Sequence, residues 1–214
     1  MNYLINEAIT CLMDSGVRSL PIKADKLSSK RLKWHYATYS EGYEFIKSVN
    51  YERFCEDHPA FSMRLENGYY IIFYNGFLPF SHINYILAHE IGHILLGHCL
   101  PDSQSYDANA LNEYPDNAAN SAFMDEFERE ADMFASHILA PLCILSATRV
   151  FTPEGIETET AIPARLLKNI AEPPAEQREM SYSEMRLCMR FLRFILLKRA
   201  LRAIFRTVDT FKQT

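Results

Sequence analysis

His89-Glu90-Ile91-Gly92-His93 is the stretch from which the rest of this chain can be read. On an α-helix, two imidazoles four positions apart share a face, about 40° apart around the axis and about 6 Å along it, so both Nε2 atoms can reach one metal ion. Glu90 follows His89 directly, and its carboxylate projects beside such an ion, where it can hold a water molecule and take its proton. This is the H-E-x-x-H zinc pattern, with the glutamate as general base of a hydrolase. Around it, Ile83, Ile86, Leu87, Ile91, Ile94 and Leu95 recur at helical intervals, with Ser81 as the expected N-cap and Gly97 as the expected C-cap. Just upstream, residues 61–65 alternate, Glu66-Asn67-Gly68 makes a tight turn, and residues 69–74 (YYIIFY) are strongly β-prone. A hairpin entering the helix through residues 75–79 would put a sheet edge beside the metal, where an extended peptide can add as a strand.

Two histidines leave the ligand set incomplete, because a catalytic zinc takes three protein ligands and keeps one position for water. The longer metzincin pattern needs Gly at position 96 and His at position 99; this chain has Leu96 and Cys99, so that class is excluded. His98 lies about 100° beyond Gly97 and, on a continuing helix, faces away from the two ligands, as a surface or structural histidine. A second helical pattern starts at Ser121 (Phe123, Phe127, Ala131, Phe134, Ala135, Ile138, Leu139) and stops at Pro141. It carries Glu128-Arg129-Glu130-Ala131-Asp132. Glu128 and Asp132 share a face, so one can ligate while the other accepts the free ring N–H of a ligand histidine. Glu130 is about 200° from Glu128 and cannot face the same ion. The pairing with Asp132 and the small Ala131 select Glu128 as ligand and Asp132 as its supporting carboxylate.

With both blocks in hand, the chain resembles the ImmA/IrrE family of bacterial and phage metallopeptidases. The likeness rests on the strand Tyr70-Ile71-Ile72-Phe73-Tyr74-Asn75, on residues 86–98 (ILAHEIGHILLGH) and on residues 128–141 (EREADMFASHILAP). In the family the second block usually reads E-x-x-A-N-x-F-A-x-x-L-L-x-P, which gives Glu128 the ligand role; Asp132 stands where Asn is common and can serve equally well. The resemblance covers about residues 1–145 and weakens beyond Pro141. It implies a gluzincin-like endopeptidase that makes a site-limited cut in a transcriptional repressor or similar regulator, often encoded on a mobile element.

The expected architecture is α+β: a zincin-like domain over residues 1–145 with a small antiparallel sheet, the H-E-x-x-H helix and a second ligand-bearing helix. A short helical extension (146–175) and a basic amphipathic helical tail (176–214) follow. Before the hairpin, residues 2–13 read as a helix, 17–22 as a short strand, and 25–34 and 41–49 as helices around an aromatic-rich turn. Zinc held by His89, His93 and Glu128 would lower the pKa of its water toward about 7. Glu90 would take that water's proton and pass it to the leaving amine. For the remaining oxyanion contact, Tyr74, Tyr85 and His137 are candidates from nearness in sequence alone.

Composition constrains the partners. The chain has 214 residues, 48% of them hydrophobic, and a formal charge of −5, which speaks against a nucleic-acid coat. Residues 152–170 hold two short helical patterns with few basic residues (Arg165, Lys168), so no direct nucleic-acid contact is expected there. Five cysteines without a C-x-x-C pair, and a start lacking a basic n-region, point to a reduced, cytoplasmic protein. The apolar run 187–197 contains Arg190 and Arg193 and is too short to span a bilayer. From Glu176 onward there are nine Lys/Arg against four Asp/Glu, a net +5 that leaves −10 for residues 1–175. The tail's basic face is Arg186, Arg190 and Arg193, then Arg199, Arg202 and Arg206 about half a turn away. A stripe that switches sides suits self-association or a partner's groove better than a membrane surface. Rival readings are a zinc-stabilised regulatory protein that binds without cutting, and one half of a toxin–antitoxin pair. A chain ending at Glu172 is expected to fold and bind zinc but to lose self-association or substrate-protein affinity. Light scattering with a zinc assay checks this, and unfolding of the shortened chain would place the tail in the catalytic core.

Overall fold

The computed structural model describes residues 2–17, 20–99, 118–141 and 160. The expected extension, apart from residue 160, and the expected tail lie outside them. Helix α1 (Asn2–Asp14) buries Leu4, Ala8, Ile9, Cys11 and Leu12. It ends where Gly16 turns left-handed at φ 66° and Val17 N–H bonds back to Leu12 O at 3.1 Å. Three strands follow, β1 (Trp34–Thr38), β2 (Ala60–Arg64) and β3 (Tyr70–Tyr74), with short helices α2 (Tyr43–Ser48) and α3 (Glu52–Asp57) between β1 and β2. Helix α4 (Phe80–Leu96) carries the H-E-x-x-H stretch, and α5 (Ala118–Leu139) carries the second block. Among the described residues, no helix is long and apolar enough to cross a membrane.

The α+β class and the hairpin are as expected, but the sheet is mixed. β2 runs antiparallel to β3 (Ala60 opposite Tyr74), while β1 adds to the other side of β3 in parallel (Trp34 opposite Tyr70), giving the order β1-β3-β2. The helix expected over 25–34 shrinks to one 3-10 turn, Ala24–Lys26, and the chain then extends into β1. Side chains take the backbone N–H groups a helix would need: Ser15 Oγ accepts from Ser28 N (2.8 Å), Asp14 Oδ2 from Lys30 N (2.9 Å) and Ser29 Oγ from Arg31 N (3.1 Å). Nor do Val17 and residues 20–22 form a strand; Asn84 of α4 straps this segment instead, with Nδ2 donating to Ile22 O (2.9 Å) and Oδ1 accepting from Ala24 N (2.7 Å). The helix expected over 41–49 is α2, and α3 is an addition to it.

Strand alternation sends side chains to two cores. Tyr70 and Ile72 of β3 join α1, α4 and α5 in the main one, whereas Phe73 packs with Ile46, Tyr51 and Phe61 on the opposite face. Helix α4 is the centre of the main core, with Tyr85, Leu87, Ala88, Ile91, Ile94 and Leu95 all buried. Arg31 locks its C-terminal end, reaching Leu95 O at 3.2 Å and Glu7 of α1 at 2.8 Å. Helices α4 and α5 pack closely where Gly92 faces Ala131 and Phe134. A Cβ on Gly92 would stand 3.1 Å from Phe134 Cδ1 and 3.3 Å from the Ala131 Cα, a backbone atom that cannot step aside without moving α5.

Alanine in place of a helical glycine ordinarily stabilises by about 0.5–1 kcal/mol, but overpacking a tight contact costs about 1–3 kcal/mol. Gly92→Ala is therefore expected to lower the melting temperature and to weaken metal binding by displacing Glu128. Thermal unfolding and chelator competition measure both; a variant as stable as the parent, with unchanged affinity, would mean the helices have slack at this crossing.

Candidate metal centre

Helical geometry puts His89 and His93 on one face of α4, and the crossing at Gly92 sets Glu128 of α5 opposite them. Nε2 of His89 lies 3.1 Å from Glu128 Oε2 and 3.0 Å from Nε2 of His93, which is itself 3.5 Å from Glu128 Oε1. The three side chains each offer one ligand atom, and all these atoms lie within 4.8 Å of one another. Two imidazole nitrogens and a carboxylate are the donor set that suits zinc, and the group sits at the rim of the core, with Glu128 the most exposed of the three.

The rear of His89 is occupied as well. Nδ1 of His89 lies 2.9 Å from Asp132 Oδ1, which also accepts a 3.0 Å bond from the Tyr85 hydroxyl. Burial pulls the His89 pKa down, but the carboxylates of Asp132 and Glu128 outweigh it and hold the ring up at about 10. Hydrogen bonds with His89 and His93 keep the Glu128 carboxyl well below its ordinary range. Two carboxylates thus converge on positions where protons, or a cation in their place, balance the charge, and the residues present fit a divalent ion.

Glu90 is placed differently. Its side chain is buried, and burial raises its pKa; His93, His89 and a Ser62 hydrogen bond pull the other way without cancelling it. Ser62 comes from β2, on the sheet face turned to α4, and its Oγ also lies 3.4 Å from Cys99 Sγ. This neighbour of Glu90 was not singled out by sequence; the alternation of residues 61–65 puts Ser62 on the face opposite Phe61, the only hint available.

Of the three oxyanion candidates, Tyr85 has its hydroxyl engaged on Asp132, behind His89. Tyr74 closes β3 and packs against the main core, and His137 lies in the last turn of α5; both are outside the three-residue group. His98 does not face away from the ligands. Its Nδ1 is 3.1 Å from His93 Nδ1 and its Nε2 is 3.1 Å from Glu130 Oε2. The 100° step fails because α4 stops: Gly97 is left-handed at φ 82°, Gly97 N–H bonds to Ile94 O and His98 N–H to His93 O. Gly97 was legible as a helix end, so the signal was present. Pro79, not Ser81, stands at the N-cap.

Residues 46–150 match the family model described as the IrrE N-terminal-like domain. The match begins inside α2 and takes in both hairpin strands, α4 and α5, whereas α1 and β1 lie before it yet share their cores. No curated protein and no solved structure matches the chain. Purified protein is expected to carry about one zinc per chain, and His89→Ala, His93→Ala and Glu128→Ala should each lose most of it, because two of three ligands make an incomplete site. Metal analysis after dialysis checks this; a full complement in Glu128→Ala would overturn the ligand set.

Proposed function

Because this chain belongs, through residues 46–150, to the ImmA/IrrE family of metallopeptidases, we propose that it is a zinc-dependent endopeptidase acting on a regulatory protein such as a transcriptional repressor. His89, His93 and Glu128 hold the ion, Glu90 is the general base and Asp132 orients His89. The observation that carries this reading is the convergence of Nε2 of His89, Nε2 of His93 and the Glu128 carboxylate, with the buried Glu90 carboxylate next to His89 in sequence. Zinc bound there would supply Lewis acidity, polarising the scissile carbonyl and acidifying water.

The chain's own groups account for the remaining steps. Among the described residues β2 ends the sheet on one side, and it lies against α4, so its outer edge suits an extended peptide, aligned by main-chain hydrogen bonds across the site. Burial makes Glu90 a stronger base than a solvated carboxylate, which favours taking a proton from water onto a carboxylate oxygen and then passing it to the leaving nitrogen. Asp132 accepts the His89 Nδ1–H and, with the Tyr85 hydroxyl on the same oxygen, fixes that ring. A cytoplasmic site of action and self-association through residues 176–214 complete the reading.

A zinc-stabilised protein that binds a regulator without cutting it is the rival, and Glu90 argues against it. A buried carboxylate is costly to keep, and metal binding alone does not call for one. Glu90→Gln keeps shape and removes the base, so zinc content and melting temperature should hardly change while cleavage falls by at least about a hundredfold. Incubating both forms with the protein products of neighbouring genes and looking for a discrete fragment tests this. If Glu90→Gln still performs the regulatory task in cells, proteolysis is not the mechanism.

A further inference from the structure

Behind His93 runs a second chain of polar contacts, built differently from the Asp132–Tyr85 pair behind His89. His93 Nδ1 meets His98 Nδ1 at 3.1 Å, and His98 Nε2 meets Glu130 Oε2 at 3.1 Å. The His98 ring is stacked on Phe127, centroids 4.4 Å apart and planes 16° from parallel, and its side chain is only 6% exposed. The contact is built by the end of α4 itself: the turn at Gly97 carries His98 back over the last helical residues, and His98 N–H bonds to His93 O at 2.9 Å.

Counting donors assigns the hydrogens. An imidazole that gives Nε2 to a metal carries its hydrogen on Nδ1. His93 Nδ1–H must then donate to His98 Nδ1, which has to be bare. The His98 hydrogen is therefore on Nε2, where it donates to the Glu130 carboxylate. Each donor finds one acceptor, and the order runs one way only. We propose that His98 is a positioning residue of the metal centre: it fixes the tautomer and ring plane of His93, with Glu130 as terminal acceptor. This rests on the reading of His93 as a ligand through Nε2. The two ligand arms are then unequal. His89 leans directly on a carboxylate, whereas His93 leans on a neutral ring that passes the contact on to Glu130.

The test uses the full chain and its zinc complex. Nitrogen-15 NMR of the zinc-loaded wild type should show His98 as the neutral Nε2–H tautomer and the His93 Nδ1–H protected from exchange; His98 carrying its hydrogen on Nδ1, or on both nitrogens, overturns the proposal. His98→Phe keeps the stacking on Phe127 and removes both nitrogens, so zinc affinity by chelator competition should fall about 10- to 100-fold, the usual scale for such a partner. The metal-free melting temperature should be nearly unchanged. His98→Asn sets an amide oxygen near the place of Nδ1 and should recover most of the affinity; Glu130→Gln, which keeps an acceptor, should lose little. Wild-type affinity in His98→Phe overturns the proposal, as does equal loss in Phe and Asn variants with a matching drop in melting temperature. If a variant fails to fold, the wild-type tautomers decide. Zinc binding that survives His93→Ala would instead remove the ligand assignment on which the proposal stands.

Discussion

The site depends on how closely two helices approach. At Gly92 of α4 the missing Cβ lets Ala131 and Phe134 of α5 come within van der Waals distance of the backbone. Glu128 is one turn before Ala131, so the same approach that closes the seam sets its carboxylate against both histidines. A glycine in a helix interior costs about 1 kcal/mol relative to alanine. The seam offsets this: Ile91, Ile94, Phe134, Ile138 and Leu139 are all essentially fully buried, and each such side chain contributes about 1.5–3 kcal/mol by leaving water.

On top of this apolar seam sits a polar group organised by mutual satisfaction. Asp132 serves both His89 and Tyr85, and Glu128 faces the rings of His89 and His93. Removing one member leaves the others short of a partner in a partly buried place, which is why such groups act as a unit. Glu90 lies beside Ser62 on the sheet side, and burial keeps its affinity for a proton high against the pull of His93 and His89. One cluster therefore holds carboxylates in opposite states: Glu128 pulled toward its charged form and Glu90 pushed toward its neutral one. That division gives two neighbouring carboxylates different affinities for a proton.

The sheet and the strap around it hold α4 in place. β1 enters from a segment whose serines and Asp14 have already taken the backbone donors a helix would use. Asn84 and Arg31 then tie the N-terminal region to the start and end of α4. Residues before 46, outside the family match, are in this way part of the same core as the helices that carry His89, His93 and Glu128.

By itself the sequence determined what short-range periodicity can carry. His89, Glu90 and His93 share their spacing with the apolar face of α4; Glu128 and Asp132 share theirs with the seam of α5; residues 61–74 make the hairpin. These follow from 3.6- and 2-residue repeats and are local in the chain. The tertiary structure alone decided that β1 joins β3 in parallel, because that pairing links residues 34–38 to 70–74 across two helices and a strand. It also decided that Ser62 neighbours Glu90, and that His98 lies between His93 and Glu130. A helical angle can be extended only while the helix lasts, and at Gly97 the chain reverses, so His98 meets partners that no periodicity places beside it.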